Sequence, residues 1–178
     1  MNKKLLSTAL VATLGALACV PAASAAPNTG TIQINGKVLQ DTCTVTVNGG
    51  TGNTVTLTPV MASSLNASGK VAGATAFTLN LSNCDQNATQ AQLSFTGGAN
   101  NATDGNLTNT GSAGSVEVQL LAGGTSGSAI NVKTNANAPA VTLSSGSGST
   151  NMAAQYYATA PASAGLVSTS ASMTFTYQ

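Results

Sequence analysis

Beyond about residue 30, apolar and polar positions alternate in short runs. The period-2 segments are Thr31 to Val38, Cys43 to Val47, Thr54 to Thr58, Ala76 to Leu81, Ala91 to Phe95, Ser115 to Leu121, Ala129 to Val132, Ala140 to Leu143, Ala153 to Thr159 and Ser172 to Tyr177. Side chains on a strand point to opposite faces in turn, so each run reads as a half-buried β-strand. Gly, Asn, Ser or Pro bounds each one. Many short strands separated by turn residues predict an all-β sandwich or barrel. The clearest predicted turns are Asn48-Gly49-Gly50, Gly97-Gly98, Asp104-Gly105 and Gly123-Gly124. Ser144 to Thr150 reads as a surface loop between strands.

The first 25 residues follow a different pattern. Lys3 and Lys4 precede an apolar run, Leu5 to Val20, and Ala23-Ser24-Ala25 supplies small residues. This is the layout of a secretory signal peptide over residues 1–25, with cleavage after Ala25 or Ala26. The run is short for a membrane span, and no later apolar stretch approaches the roughly 20 residues a span needs. Cys19 lies within the segment, and Ala16-Leu17-Ala18 before it is a poor lipidation context. Export leaves Cys43 and Cys84, 41 positions apart, as the remaining cysteines. An even pair in an exported chain reads as a disulfide. A redox or metal pair would need closer spacing or further ligands, and there is no histidine.

Charge removes several classes of function. After residue 25 the chain keeps Lys37, Lys70 and Lys133 against Asp41, Asp85, Asp104 and Glu117, a net charge of −1 with no arginine. Three scattered lysines cannot form the cationic face that nucleic acid requires. So few charges also give little repulsion between copies. Without histidine or a free thiol there is no triad and no sulfur nucleophile. The four carboxylates read as surface groups. Glu117, between Val116 and Val118, is expected to face solvent. No catalytic, cofactor or metal site is expected. Asn66, Asn87, Asn101 and Asn106 match the glycosylation acceptor pattern, but in a chain this rich in Asn, Ser and Thr they read as turns and loop edges.

Two tails stand out. In Gly30 to Val38, the residues Gly30, Ile32, Ile34, Gly36 and Val38 share one face. This is either an ordinary first strand or a strand donated to a neighbouring chain, with main-chain bonds giving affinity and alternate side chains filling pockets. At the other end Met173, Phe175 and Tyr177 alternate with Thr174 and Thr176, and by pattern alone they form the last strand.

Taken in order, these motifs resemble the major structural pilins of chaperone–usher fimbriae, of the type 1 family. Gly30 to Val38 followed by Cys43 resembles the donor strand and first core strand. Leu81-Ser82-Asn83-Cys84 resembles the second cysteine site, and Tyr156-Tyr157-Ala158-Thr159 the aromatic strand near the end. Gly165, fourteenth from the C-terminus, and the penultimate Tyr177 match the chaperone-recognition signature. The resemblance implies an immunoglobulin-like sandwich lacking its seventh strand, over residues 37–178, behind a donor extension over 26–36. It implies a donated face of Gly30, Ile32, Ile34 and Gly36, and a chaperone-read edge of Gly165, Met173, Phe175 and Tyr177. The implied partners are like pilin subunits, a periplasmic chaperone and an outer-membrane usher, and the implied product is an extracellular rod. A minor adaptor or a carbohydrate-binding tip adhesin of the same kind of fibre is the alternative.

Overall fold

The structure, a computed structural model, describes residues 43–48, 52–98 and 103–178, together with Gln33 and Gly36. The chain divides into two compact units, Met1–Gly36 and Lys37–Gln178. Every strand among the described residues belongs to the second. The expected signal peptide, the run Thr31 to Val38 apart from Gln33 and Gly36, residues Gly30, Ile32 and Ile34, the Gly49-Gly50 turn and the Asn101 acceptor site lie outside the described residues.

Among the described residues nine strands form two antiparallel sheets. They are β1 (Thr44–Val47), β2 (Val71–Ser82), β3 (Gln90–Gly98), β4 (Leu107–Thr108), β5 (Val116–Ala122), β6 (Ser128–Ile130), β7 (Ala140–Thr142), β8 (Gly148–Ala158) and β9 (Ala171–Tyr177), with a short 3₁₀ turn at Ala62–Leu65. The larger sheet runs β1-β2-β8-β5-β4, with β6 also paired to β5, and the smaller runs β7-β3-β9. The alternation read from the sequence sets the inner faces. Leu79 from β2, Val118 and Leu120 from β5, Met152 and Ala154 from β8, and Leu93 and Phe95 from β3 meet in one core. Burying these aliphatic groups, at about 25 cal/mol per Å² of apolar surface, is the main force holding the sheets together.

Cys43 and Cys84 are joined by a disulfide with Cα atoms 4.3 Å apart. It sits just outside the first rung of the β1–β2 ladder, Thr44 opposite Ser82. The bond thus pins the beginning of β1 to the end of β2. It packs with Leu81, Ala91, Val141 and Leu143 in a second cluster that Phe175 and Tyr177 cover from β9.

Four expectations are corrected. Gly97-Gly98 is not a turn: both residues pair with β9, opposite Ser172 and Ala171, after a register shift beyond Phe95. A glycine pair in a strand here marks a bulge. Ser144 to Thr150 is not all loop. A tight turn at Ser144–Ser147 leads directly into β8, which begins at Gly148. Thr54 to Thr58 keeps its alternation, with Val55 and Leu57 half-buried and Thr54, Thr56 and Thr58 exposed, yet it belongs to no ladder.

Glu117 is the fourth. It is 7% exposed rather than solvent-facing. The buried Asn106 Nδ2 donates to its Oε2 (3.2 Å). Gln119 Nε2 donates to Asn106 Oδ1 (3.2 Å), and Gln155 Nε2 to Gln119 Oε1 (2.8 Å). Alternation did put Glu117 on the face opposite Val116 and Val118. It could not reveal that the 104–106 turn, formed through the positive φ of Gly105, brings Asn106 against that face. Among the described residues no buried side-chain polar atom lacks a partner.

Candidate functional site

One side of the sandwich is open. Among the described residues β9 is paired only with β3, which leaves β9 as the edge of the smaller sheet. Facing that edge is the extended segment 53–58, which no strand pairs. Between them lies a groove of about 460 Å³. Its floor is the inner face of the larger sheet, including Phe77, Leu79, Val118 and Met152. One wall carries Val55 and Leu57, the other Val167, Ala171 and Met173. The lining is therefore mostly aliphatic and aromatic, with threonine and serine along the rims.

The inward face of β9 is incompletely covered. Met173, Phe175 and Tyr177 share the inward face of β9, yet each is only half-buried. On the neighbouring β3 the inward residues Ala91, Leu93 and Phe95 are buried. In a closed sandwich the side chains of the two inner faces interdigitate and bury one another. An edge strand also presents unpaired N–H and C=O groups, a template for another chain. The site can therefore bind an extended segment that supplies backbone pairs to β9 and apolar side chains to the groove.

The sequence-derived residues fall into place unevenly. Met173 lines the groove; Phe175 and Tyr177 continue its wall toward the disulfide. Gly36 is exposed, with open space around the position of a Cβ. Gly165 is not on the edge strand. It lies in the 163–168 loop, where a Cβ would come within 2.6 Å of the Ser112 carbonyl carbon and 2.7 Å of Ala113 Cα. Its lack of a side chain lets two loops close on each other. Reading the sequence missed this loop pair, in which Ser112 Oγ accepts from Leu166 N and Asn109 Oδ1 from Ser168 N, because no periodicity marks it. It also took Val55 and Leu57 for part of an ordinary strand rather than a groove wall. Among the described residues no cluster of three or more His, Cys, Asp or Glu could hold a metal ion. None of their helices is long and apolar enough to cross a membrane.

Among the described residues the protein is a two-sheet, immunoglobulin-like sandwich whose open edge and apolar groove can take up an extended segment. The pattern of the family described as Fimbrial protein matches residues 32–178, and the chain belongs to that family. It is 35% identical over 168 residues to "Major fimbrial subunit SMF-1" of Stenotrophomonas maltophilia (strain K279a), covering 90% of this chain and 99% of that one. It is 44% identical over 66 residues to the F17 fimbrial protein of Escherichia coli, covering 37% of this chain and 36% of that one. Its fold matches the crystal structure of the P pilus rod subunit PapA with a TM-score of 0.55 at 20% identity, covering 83% of this chain and all of that one. The protein is a structural fimbrial subunit, a component of an extracellular surface fibre.

Proposed function

We propose that this subunit polymerises by donor-strand exchange. The extension over residues 26–36 of one copy enters the groove of the next, and its face of Gly30, Ile32, Ile34 and Gly36 meets the groove lining. The observation that carries this reading is the half-buried inward face of β9 beside an apolar groove in a chain of the fimbrial family. Fully burying an isoleucine stabilises by roughly 1.5–3 kcal/mol, so Ile32 and Ile34 together give a strong apolar anchor. Gly36 lacks a side chain and suits a shallow part of the groove. The Cys43–Cys84 bridge holds the start of the acceptor's own first strand, so that the extension alone is free to leave.

Before exchange, a periplasmic chaperone covers the same groove and pairs with β9. Met173, Phe175 and Tyr177 form the edge it reads, and Gly165 shapes the loop that leads into that edge. The signal peptide directs the chain to the periplasm, and an outer-membrane usher passes the subunit into the growing rod. Electron microscopy of cells carrying Ile32→Asp or Ile34→Asp, or a mature chain beginning at Lys37, tests the reading. Loss of fibres with the subunit still present in the periplasm is expected. Normal fibres from the shortened chain would exclude the mechanism.

A further inference from the structure

An empty apolar groove is unstable in a specific way. Its half-buried walls gain by closing on each other, because collapse removes Val55, Leu57 and Met173 from water. Something must hold the sheets apart until a strand arrives. At the end where β9 begins, that something is visible as a clasp between the two sheets. Residues 109–114 lead from β4 to β5 of the larger sheet. Residues 163–169 lead into β9 of the smaller sheet and supply Val167, Ser168 and Thr169 to the groove lining.

Asn109 is the centre of this clasp. Its Oδ1 accepts from Gly111 N (2.8 Å) and from Ser168 N (2.9 Å), while its Nδ2 donates to Ala113 O (2.8 Å). One half-buried amide therefore braces the 109–113 turn and ties that turn to the groove wall. Around it, Thr110 N donates to Ser168 O (2.8 Å), Ala113 N to Leu166 O (3.0 Å), and Thr169 Oγ1 to Thr108 O (2.9 Å). The close approach that Gly165 and Gly111 permit brings the two loops into this register.

We propose that Asn109 is a positioning residue for strand capture: its amide holds the β9 end of the empty groove open. The proposal rests on the donor-strand reading above. It assigns Asn109 to the rate at which the groove accepts a strand, more than to the stability of the filled subunit. Once a strand is seated, its own side chains prop the sheets apart and the clasp becomes redundant.

The test uses the full mature chain and a fluorescent synthetic peptide covering residues 28–38, in excess. Capture rate and the melting temperature of the filled subunit are measured for the unsubstituted chain, Asn109→Ala and Asn109→Asp. Asn109→Ala removes three bonds, and a net loss near 1.4 kcal/mol in the capture-competent state slows capture about tenfold. Asn109→Asp keeps both acceptor bonds but sets a carboxylate oxygen against the Ala113 carbonyl oxygen where the amide donated, so its capture should also be slower than that of the unsubstituted chain. Filled subunits of all three should melt within a few degrees of one another. A capture rate unchanged by Asn109→Ala overturns the proposal. So does a filled subunit destabilised as much as capture is slowed, since that is what mere structural support would give. Failure of the unsubstituted chain to capture the peptide would instead overturn strand exchange itself, and the proposal with it.

Discussion

Leu93 of β3 and Phe175 of β9 stand directly opposite each other in the antiparallel ladder. Leu93 is 0% exposed, whereas Phe175 is only half-buried. Both point into the same core, so the difference is not one of face. Leu93 is flanked on both sides within its sheet, by β9 and by the residue that leads into β7, since Leu93 N donates to Pro139 O (3.1 Å). Phe175 has one. Among the described residues the open side of β9 is the one whose Met173 lines the groove.

A peptide covering residues 28–38 should stabilise the subunit by binding the folded state alone. At about 100 times its Kd, a ligand of this kind adds about 2.7 kcal/mol. For a domain of this size that raises Tm by roughly 5–10 °C. Differential scanning fluorimetry against a scrambled peptide checks it. An unshifted melting curve in a monomeric subunit whose own extension has been removed would contradict an unfilled groove.

Tyr177→Ala should lower the yield of chaperone-bound subunit and of surface fibres while leaving the strand in place. The last rungs of the ladder do not depend on this side chain. Thr89 N donates to Gln178 O (2.7 Å), and Gln178 N donates to Gln90 O (2.9 Å). What is lost is the ring's apolar contact with the cluster around the disulfide. Co-purification with the chaperone, set beside the Tm of peptide-filled subunit, separates two roles. Undiminished chaperone capture would remove the recognition role, and a large fall in Tm of the filled subunit would assign Tyr177 to the core.

Replacing both cysteines, Cys43→Ala with Cys84→Ala, should cost about 2–5 kcal/mol of stability, the usual range for a small exported domain. The site of the damage should be local. Beyond the bond itself, β1 is held by only four rungs to β2, so amide exchange should rise first at residues 44–47. Intact mass before and after reduction should differ by two hydrogens. Free thiols in the unreduced mature chain would refute the bridge.

Asn106→Leu should destabilise the subunit by about 1–3 kcal/mol. It leaves the buried Glu117 carboxylate without the Asn106 donor and Gln119 without its acceptor. Chemical denaturation of the peptide-filled subunit reads this directly. Because the network lies on the face of β5 away from the groove, strand capture should keep its rate. Slower capture by this variant would mean that the two faces of the sheet are coupled.

Much of this molecule was legible in the chain. Period-2 alternation located eight of the nine strands among the described residues, because a strand buried on one face must write that period into its sequence. The two cysteines left after residue 25 gave the disulfide, and Met173, Phe175 and Tyr177 gave the inward face of β9. What alternation cannot encode is which element lies against a face, since it records only the direction of a side chain. The tertiary structure alone therefore decided that Val55 and Leu57 line a groove instead of joining a ladder, that Glu117 is enclosed by Asn106, and that Gly97 continues a strand through a bulge. It alone placed Gly165 against Ser112 and Ala113, 52 to 53 positions earlier in the chain. A contact across that distance depends on how two sheets stack, and no local pattern carries that information.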